Sequence, residues 1–402
     1  MNSDSRMRSS SNDPIALSNT SVFTGTTMLK DHAVVLAGDT IEAVKRRDHI
    51  DPNIERIDLN GGILAPGFLD LQVNGGGGGF FNASPDLPTL EIICNTHRRF
   101  GTTALLPTLL SDTEVVLKNG IETVRSAIKK KMPGIIGVHL EGPYLNFRHR
   151  GVHLGKHIAP GHQGIVDFLA SLGDGTTLVT LAPECVPKNL ITRLVKRGIH
   201  VVIGHSAATY EQARAALVEG ACGFTHLFNA MTPLQSREPG CVGAALDDTE
   251  SWFGIIADGC HVHPATIRIA LSAKTVGKAI FVSDAMPAAK CEMSKFELNG
   301  QTIFVDNGCC RTADGTLAGS TLTLRDAIVF AVDHLELSLE EALRMASTYP
   351  AEAIGRSTEF GHIRAGNHAN LVLLDDRINV IETWVEGKRF SATRDDLHSR
   401  RY

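Results

Sequence analysis

The sequence predicts an α/β protein: a (β/α)8 TIM-type barrel carrying a small β-sandwich domain built from both chain ends. Three observations lead there. Through the middle of the chain, short apolar runs alternate with helical patterns, the mark of a parallel sheet covered by helices. Those runs number eight, the strand count of a closed barrel. Both flanks carry only brief β-like runs separated by turns, and neither is long enough to bury a core alone, so the two ends are expected to pair.

A chain of 402 residues with 43% hydrophobic content has enough apolar surface for one large barrel and a smaller unit. The formal net charge of −5 leaves no basic excess, which argues against nucleic acid or an anionic membrane as partner. A small molecule is the expected ligand. No apolar run nears the ~20 residues of a membrane span, and the Ser-rich start MNSDSRMRSSSNDP lacks the apolar core of a signal peptide, so a cytoplasmic location is expected. The 8 cysteines show no C-x-x-C pair and read as reduced thiols, with the Cys309-Cys310 doublet assigned to packing.

Residues 1–15 read as a disordered polar tail. Residues 16–64 form the first part of the β domain, with runs at Val22-Phe23 and Ala33 to Leu36 and a turn at Gly38-Asp39. Residues 65–357 make the barrel. Its strands are predicted at 67–73, 103–106, 135–140, 177–181, 200–203, 223–225, 252–256 and 279–282, and its helices include 87–99, 112–130, 188–196, 209–219 and 264–273. After the eighth strand, 296–316 reads as a hairpin excursion near the mouth, turning at Asn299-Gly300, Asp306-Asn307-Gly308 and Asp314-Gly315. Helical segments follow at 320–335 and 339–347, and residues 358–402 complete the β domain.

The chemistry-bearing side chains sit at predicted strand exits. His205 ends the fifth strand and His226 the sixth, one βα repeat apart, so a closed barrel opens both imidazoles onto one rim. A lone buried histidine is more often a core residue, but a pair at matched strand ends points to a metal. Glu141, leaving the third strand, supplies a carboxylate. Together the three form a set for one catalytic divalent ion per chain, with zinc the first expectation and Fe, Mn or Co also accepted. His139 lies two residues back and deeper, which favours a core role. Asp284, leaving the eighth strand, faces the same mouth and suits a general base beside an acidified water. His261 and His263 follow the seventh strand, and His263 precedes Pro264 at a helix start, where a capping role is expected.

Two absences sharpen this. The first strand ends in Asp70-Leu71-Gln72-Val73-Asn74, with amides where a two-metal site would carry His-x-His, and the fourth ends in Ala182-Pro183-Glu184 with no lysine to bridge metals. Both favour a single ion. The Gly75 to Gly79 run has no acidic partner about 20 residues on and is no dinucleotide fingerprint; its backbone is expected to lie against substrate or another loop.

The segments PGFLDLQVNGGGG at 66–78, HLEGPYLN at 139–146, GHSAATYEQARAALVEGACGFTHLFNAMTP at 204–233, ADGCHVHP at 257–264, VSDAMPAA at 282–289 and LAGSTLTL at 317–324 resemble the N-acetylglucosamine-6-phosphate deacetylases of the amidohydrolase superfamily. That resemblance implies deacetylation of a phosphorylated amino sugar in amino-sugar catabolism, by a homodimer whose neighbouring chain reaches the phosphate. By position it implies that Glu141, His205 and His226 hold the metal and that Asp284 is the acid/base. His153 and His261 would meet the substrate's amide and sugar, with Val152 beside them in place of a small polar residue. Asn229, Ala230 and Arg237 would surround the sugar phosphate, and Leu317, Ala318 and Gly319 would line the acetyl side. Arg237 has suitable chemistry in its own right, since a planar guanidinium grips phosphate with two hydrogen bonds. Rival readings are another amidohydrolase, such as a cyclic-amide hydrolase, which would ordinarily show His-x-His or a bridging lysine, and a catalytically dead barrel serving as an assembly subunit, which would have lost these ligands.

Overall fold

The structure, a computed structural model, describes residues 13–158, 172 and 175–391. Residues 1–12 of the expected tail and 392–402 of the expected C-terminal part lie outside the described residues, and the first strand starts at Ile15. Eight parallel strands follow one another around a barrel: Phe68–Val73, Thr102–Leu110, Gly137–Glu141, Thr176–Leu181, His200–Ile203, Gly223–Phe224, Trp252–Ile255 and Ala279–Phe281. Such strands are buried on both faces and read as near-continuous apolar runs. Phe68, Phe224, Phe253 and Phe281, on the first, sixth, seventh and eighth strands, are all fully buried. The sixth and seventh strands approach closely because Gly223 has no side chain: a Cβ there would meet the Trp252 ring at 2.7 Å.

The seam between the first and eighth strands closes at the mouth. Val73 bridges Ala285, the Asp284 N–H donates to the Gln72 carbonyl at 2.9 Å, and the Asn74 N–H donates to the Ala285 carbonyl at 2.9 Å. The glycine run beside it packs on another loop, with the Gly77 and Gly78 N–H groups donating to the Ala289 and Pro287 carbonyls. The helices start where capping chemistry dictates. Asp86 caps Leu87–Arg98, Thr113 caps Glu114–Lys129, and Thr209 with Gln212 forms a capping box at Tyr210–Val218. The His263 ring accepts from the Ala265 N–H at the start of Pro264–Ala273.

The flanks do pair. A six-stranded sheet joins Leu371–Leu374, Val380–Val385 and Lys388–Ser391 from one end to Ile63–Pro66, Ser21–Phe23 and Met28–Leu29 from the other, and a four-stranded sheet of Ile15–Ser18, His32–Ala37, Thr40–Arg46 and Glu55–Asp58 lies with it. Trp384, Leu371 and Leu373 share a core with Leu17, Val34 and Leu64. After the eighth strand, Lys295–Leu298, Gln301–Asp306, Cys309–Arg311 and Leu317–Ser320 form a four-stranded antiparallel sheet. It packs Phe296, Ile303 and Ala318 against Leu110 and Met286 at the mouth.

Several expectations need correcting. Segment 320–335 does not begin as helix: Leu317–Ser320 is the last excursion strand, and the helix runs Leu324–His334 behind a Thr323 cap. Helices Gly240–Asp247 and Thr348–Ala353 were not expected; the first carries two glycines, which disfavour helix, and Gly243 is needed there because a Cβ would meet Pro239 at 2.2 Å. The reduced-thiol reading fails for two of the cysteines. Cys260 and Cys309 are joined by a disulfide with Cα atoms 6.1 Å apart, because the excursion sheet folds Cys309 back onto the loop after the seventh strand. The other six are free, and Cys310 is indeed a packing residue.

Trp384 is fully buried between strands from the two chain ends. Trp384→Ala is expected to lower stability by ~3–5 kcal/mol, the usual cost of emptying an aromatic core position, read as a fall in urea midpoint at unchanged m-value.

Candidate active site

The candidate residues stand at or just past carboxyl ends of barrel strands, the rim where such barrels work. Glu141 is the last residue of its strand, while His205, His226 and Asp284 follow theirs with the backbone in the left-handed region, at φ 48°, 28° and 48°. Side-chain-bearing residues seldom adopt that conformation, and its clustering here marks backbone strain held at one place.

Glu141, His205 and His226 converge. Glu141 Oε1 lies 3.1 Å from His205 Nε2 and 2.9 Å from His226 Nε2, and the two Nε2 atoms are 3.1 Å apart. All three residues are buried. His205 Nδ1 is 2.8 Å from the His149 carbonyl oxygen, which can only accept, so Nδ1 carries a proton and Nε2 is turned inward toward Glu141. Two facing imidazole nitrogens beside a carboxylate oxygen leave a position that a proton or a cation must fill. This donor set fits a divalent metal.

The electrostatics agree. Burial raises the Glu141 pKa, yet hydrogen bonds from His205 and His226 outweigh it and hold the carboxyl well below its ordinary value. Burial works against charge on His226, but the Glu141 hydrogen bond and charge reverse that and raise it. Asp284 is pushed up to about 6, first by burial and then by the Glu141 charge. Its Oδ1 accepts from Asn74 Nδ2 at 2.7 Å and from Gln72 Nε2 at 3.2 Å, and Gln72 Nε2 also reaches Glu141 Oε1 at 3.1 Å. The amides on the first strand are therefore spoken for as donors to the two carboxylates.

A cavity of about 300 Å³ opens above them. It brings together Glu141, Val152, His153, His205, His226, Asn229, Ala230, His261, Asp284, Leu317, Ala318 and Gly319. His153 Nδ1 accepts from the Ser111 N–H at 3.2 Å, so the neutral ring presents Nε2–H as a donor, and burial lowers its pKa to about 3. His139 is not on the wall; it is buried deeper, Nε2 against Thr180 Oγ1 at 2.7 Å. Arg237 is not on the wall either. It is exposed in the loop before Gly240–Asp247.

Sequence reasoning missed Asp258. Its Oδ2 accepts from His261 Nδ1 at 2.7 Å while Oδ1 accepts the Cys260 and His261 N–H groups at 2.8 Å each, which fixes the ring. The signal was present as an Asp two residues before Cys260, the spacing of an Asx turn, with a histidine directly after it. Arg148 and His149 also line the cavity, and nothing in their spacing announced it.

These features define a barrel hydrolase with a metal-ligand cluster. The amidohydrolase family model matches residues 63–390, and the NagA composite domain model matches residues 15–64. The chain belongs to the amidohydrolase family, and within it to the N-acetylglucosamine-6-phosphate deacetylases. The protein of that name from Haemophilus influenzae is 40% identical over 376 residues, covering 93% of this chain and 98% of that one. An N-acetylgalactosamine-6-phosphate deacetylase from Shewanella sp. is 41% identical over 334 residues, covering 82% of this chain and 84% of that one. The crystal structure of the Pasteurella multocida N-acetylglucosamine-6-phosphate deacetylase superposes with a TM-score of 0.90 at 37% identity, covering 94% of this chain and 100% of that one.

Proposed function

We propose that the chain hydrolyses the acetamide of N-acetyl-D-glucosamine 6-phosphate to D-glucosamine 6-phosphate and acetate, a cytoplasmic step of amino-sugar catabolism. The observation that carries this is the convergence of Glu141, His205 and His226 beneath a cavity whose wall also holds Asp284. Those three would hold one divalent ion, zinc first and Fe, Mn or Co by the same donors. When bound, the ion supplies Lewis acidity that acidifies water and steadies negative charge. Asp284 removes a proton from the attacking water and returns it to the departing nitrogen. His153 presents its Nε2–H to the substrate, and His261, held by Asp258, borders the amide. Asn229 and Ala230 flank the sugar phosphate, and Leu317 to Gly319 cover the acetyl methyl.

The amides at 72 and 74 already donate to carboxylates, which supports one ion per chain. Elemental analysis is expected to give a stoichiometry near one, and His205→Ala or His226→Ala should lose both metal and turnover while keeping the fold. Activity that tracked a second equivalent would overturn the single-ion reading.

Asp284→Asn keeps the shape but cannot take a proton. Its kcat is expected to fall by ~10²–10⁴-fold with metal content and substrate affinity retained. In the wild type the carboxylate must be ionised to act, so kcat/KM should decline as pH drops through the Asp284 pKa, and the Asn variant should lack that limb. An Asn variant keeping more than about a tenth of turnover would require another base.

Arg237, exposed and not among the residues lining its own cavity, would reach the partner's sugar phosphate across a homodimer. Arg237→Ala should lower kcat/KM for the phosphorylated sugar by ~10²-fold and leave the unphosphorylated sugar nearly unchanged. Mixing Arg237→Ala chains with Asp284→Asn chains should then restore roughly a quarter of wild-type activity, since half the dimers hold one intact site. No recovery would mean that Arg237 acts within its own chain. Parallel acetate assays on the glucosamine and galactosamine epimers decide the substrate, and a preference for the galacto sugar would reassign it.

A further inference from the structure

We propose that Cys260 and Cys309 form a thiol–disulfide exchange site that clamps the substrate cavity, so that substrate affinity follows the state of a low-molecular-weight thiol pool; the affinity part rests on the deacetylase reading above. The bond joins two walls of the cavity. Cys260 immediately precedes His261, and its N–H is held with that of His261 by Asp258. Cys309 pairs with Ser320 across the excursion sheet, next to the cavity residues Leu317 to Gly319. Apart from this bond, the excursion is held at the mouth by a small apolar cluster, by the bridge of Ser320 to Ala285 with the Ser320 hydroxyl on the Ser283 carbonyl, and by the Asn299 amide on the Val152 carbonyl.

The chemistry of the six free cysteines differs from that of this pair. Cys94 and Cys310 are buried thiols pushed up to about 12 by burial, a poor setting for a thiolate. Cys260 and Cys309 are both partly exposed, and Arg311 Nη2 lies 3.5 Å from Cys260 Sγ, where a guanidinium favours the thiolate once the bond opens. Asp258, Cys260 and His261 also form a cluster of metal-type donors, but the sulfur is bonded to Cys309 and His261 Nδ1 to Asp258, so the group is already satisfied without a cation. A cytoplasmic protein gains no lasting framework from one disulfide, because the compartment keeps thiols reduced; such bonds there are redox-responsive.

Opening takes two exchanges. A small thiolate attacks one protein sulfur, forming a mixed disulfide and expelling the other cysteine as thiolate. A second thiol attacks the mixed disulfide and frees the first cysteine. Two RSH become one RSSR, and the protein bond takes up two electrons and two protons. Closure is the reverse, with RSSR as oxidant.

The test equilibrates metal-loaded wild-type protein across a series of reduced-to-oxidised glutathione ratios, then alkylates denatured samples for intact-mass counting. Two thiols are expected to titrate together. In the same samples KM for the phosphorylated sugar should rise by about threefold or more on reduction, with kcat moving less, as when a wall of a site is loosened. Cys309→Ser, whose side chain is not on the cavity wall, should show the reduced wild-type KM at every ratio; if it folds poorly, Cys260→Ala replaces it. Limited proteolysis at the 299–315 turns needs no substrate and should quicken on reduction. Full alkylation of all cysteines at every ratio overturns the proposal, as does a KM and cleavage rate that stay fixed while the bond titrates. Failure to release acetate in either state would instead sink the functional reading, leaving the alkylation and cleavage results to decide the clamp.

Discussion

Burying the Glu141 carboxylate is the constraint on which the rest of the site depends. An unpaired buried charge is costly, and removing one partner of a buried pair typically costs ~3–5 kcal/mol. Here one oxygen receives three nitrogens, from His205, His226 and Gln72, at 3.1, 2.9 and 3.1 Å. These partners come from the fifth, sixth and first strands while Glu141 ends the third, so the carboxylate is satisfied only once the barrel has closed around it. Closure and the assembly of the chemistry are the same event, and the left-handed backbone at His205, His226 and Asp284 is strain that the completed barrel sustains.

The seam extends that argument. The Asp284 N–H hydrogen-bonds the Gln72 backbone while its side chain accepts from the Gln72 and Asn74 amides. The contacts that zip the first strand to the eighth therefore also set how readily Asp284 ionises. A donor on a carboxylate favours its charged form, whereas burial and the nearby Glu141 charge oppose it. The balance leaves Asp284 close to the range in which a general base exchanges protons efficiently.

Legibility in the sequence followed the range of the interactions. The barrel strands, the paired flanks and the exits at Glu141, His205, His226 and Asp284 were readable because strand-end position and residue type are local facts. Gly240–Asp247 was not, because its glycines argue against a helix and only the fit of Gly243 against Pro239 explains them. The Cys260–Cys309 bond was invisible because its partners are 49 residues apart and meet only through the excursion sheet's register. The place of Arg237 depends on where its loop leaves the barrel, which no residue pattern in that loop encodes. Asp258 lies between: its turn spacing is local, but only the structure shows that its second oxygen holds a ring on the cavity wall.

The cavity thus has two kinds of wall. The carboxylates and imidazoles of the chemistry are fixed by strand ends, where displacement would open the barrel itself. The cavity residues Leu317 to Gly319 belong to an added sheet, tied back at Ala285 and Ser320 and by one sulfur bond. The two walls meet at Asp284, whose carbonyl accepts from the Ser320 N–H at 2.9 Å. Differential binding matters because remote contacts on a substrate help place its reacting carbon. The division between a strained, closed rim and an added sheet gives this fold room to alter what it accepts while the geometry at Glu141 stays in place.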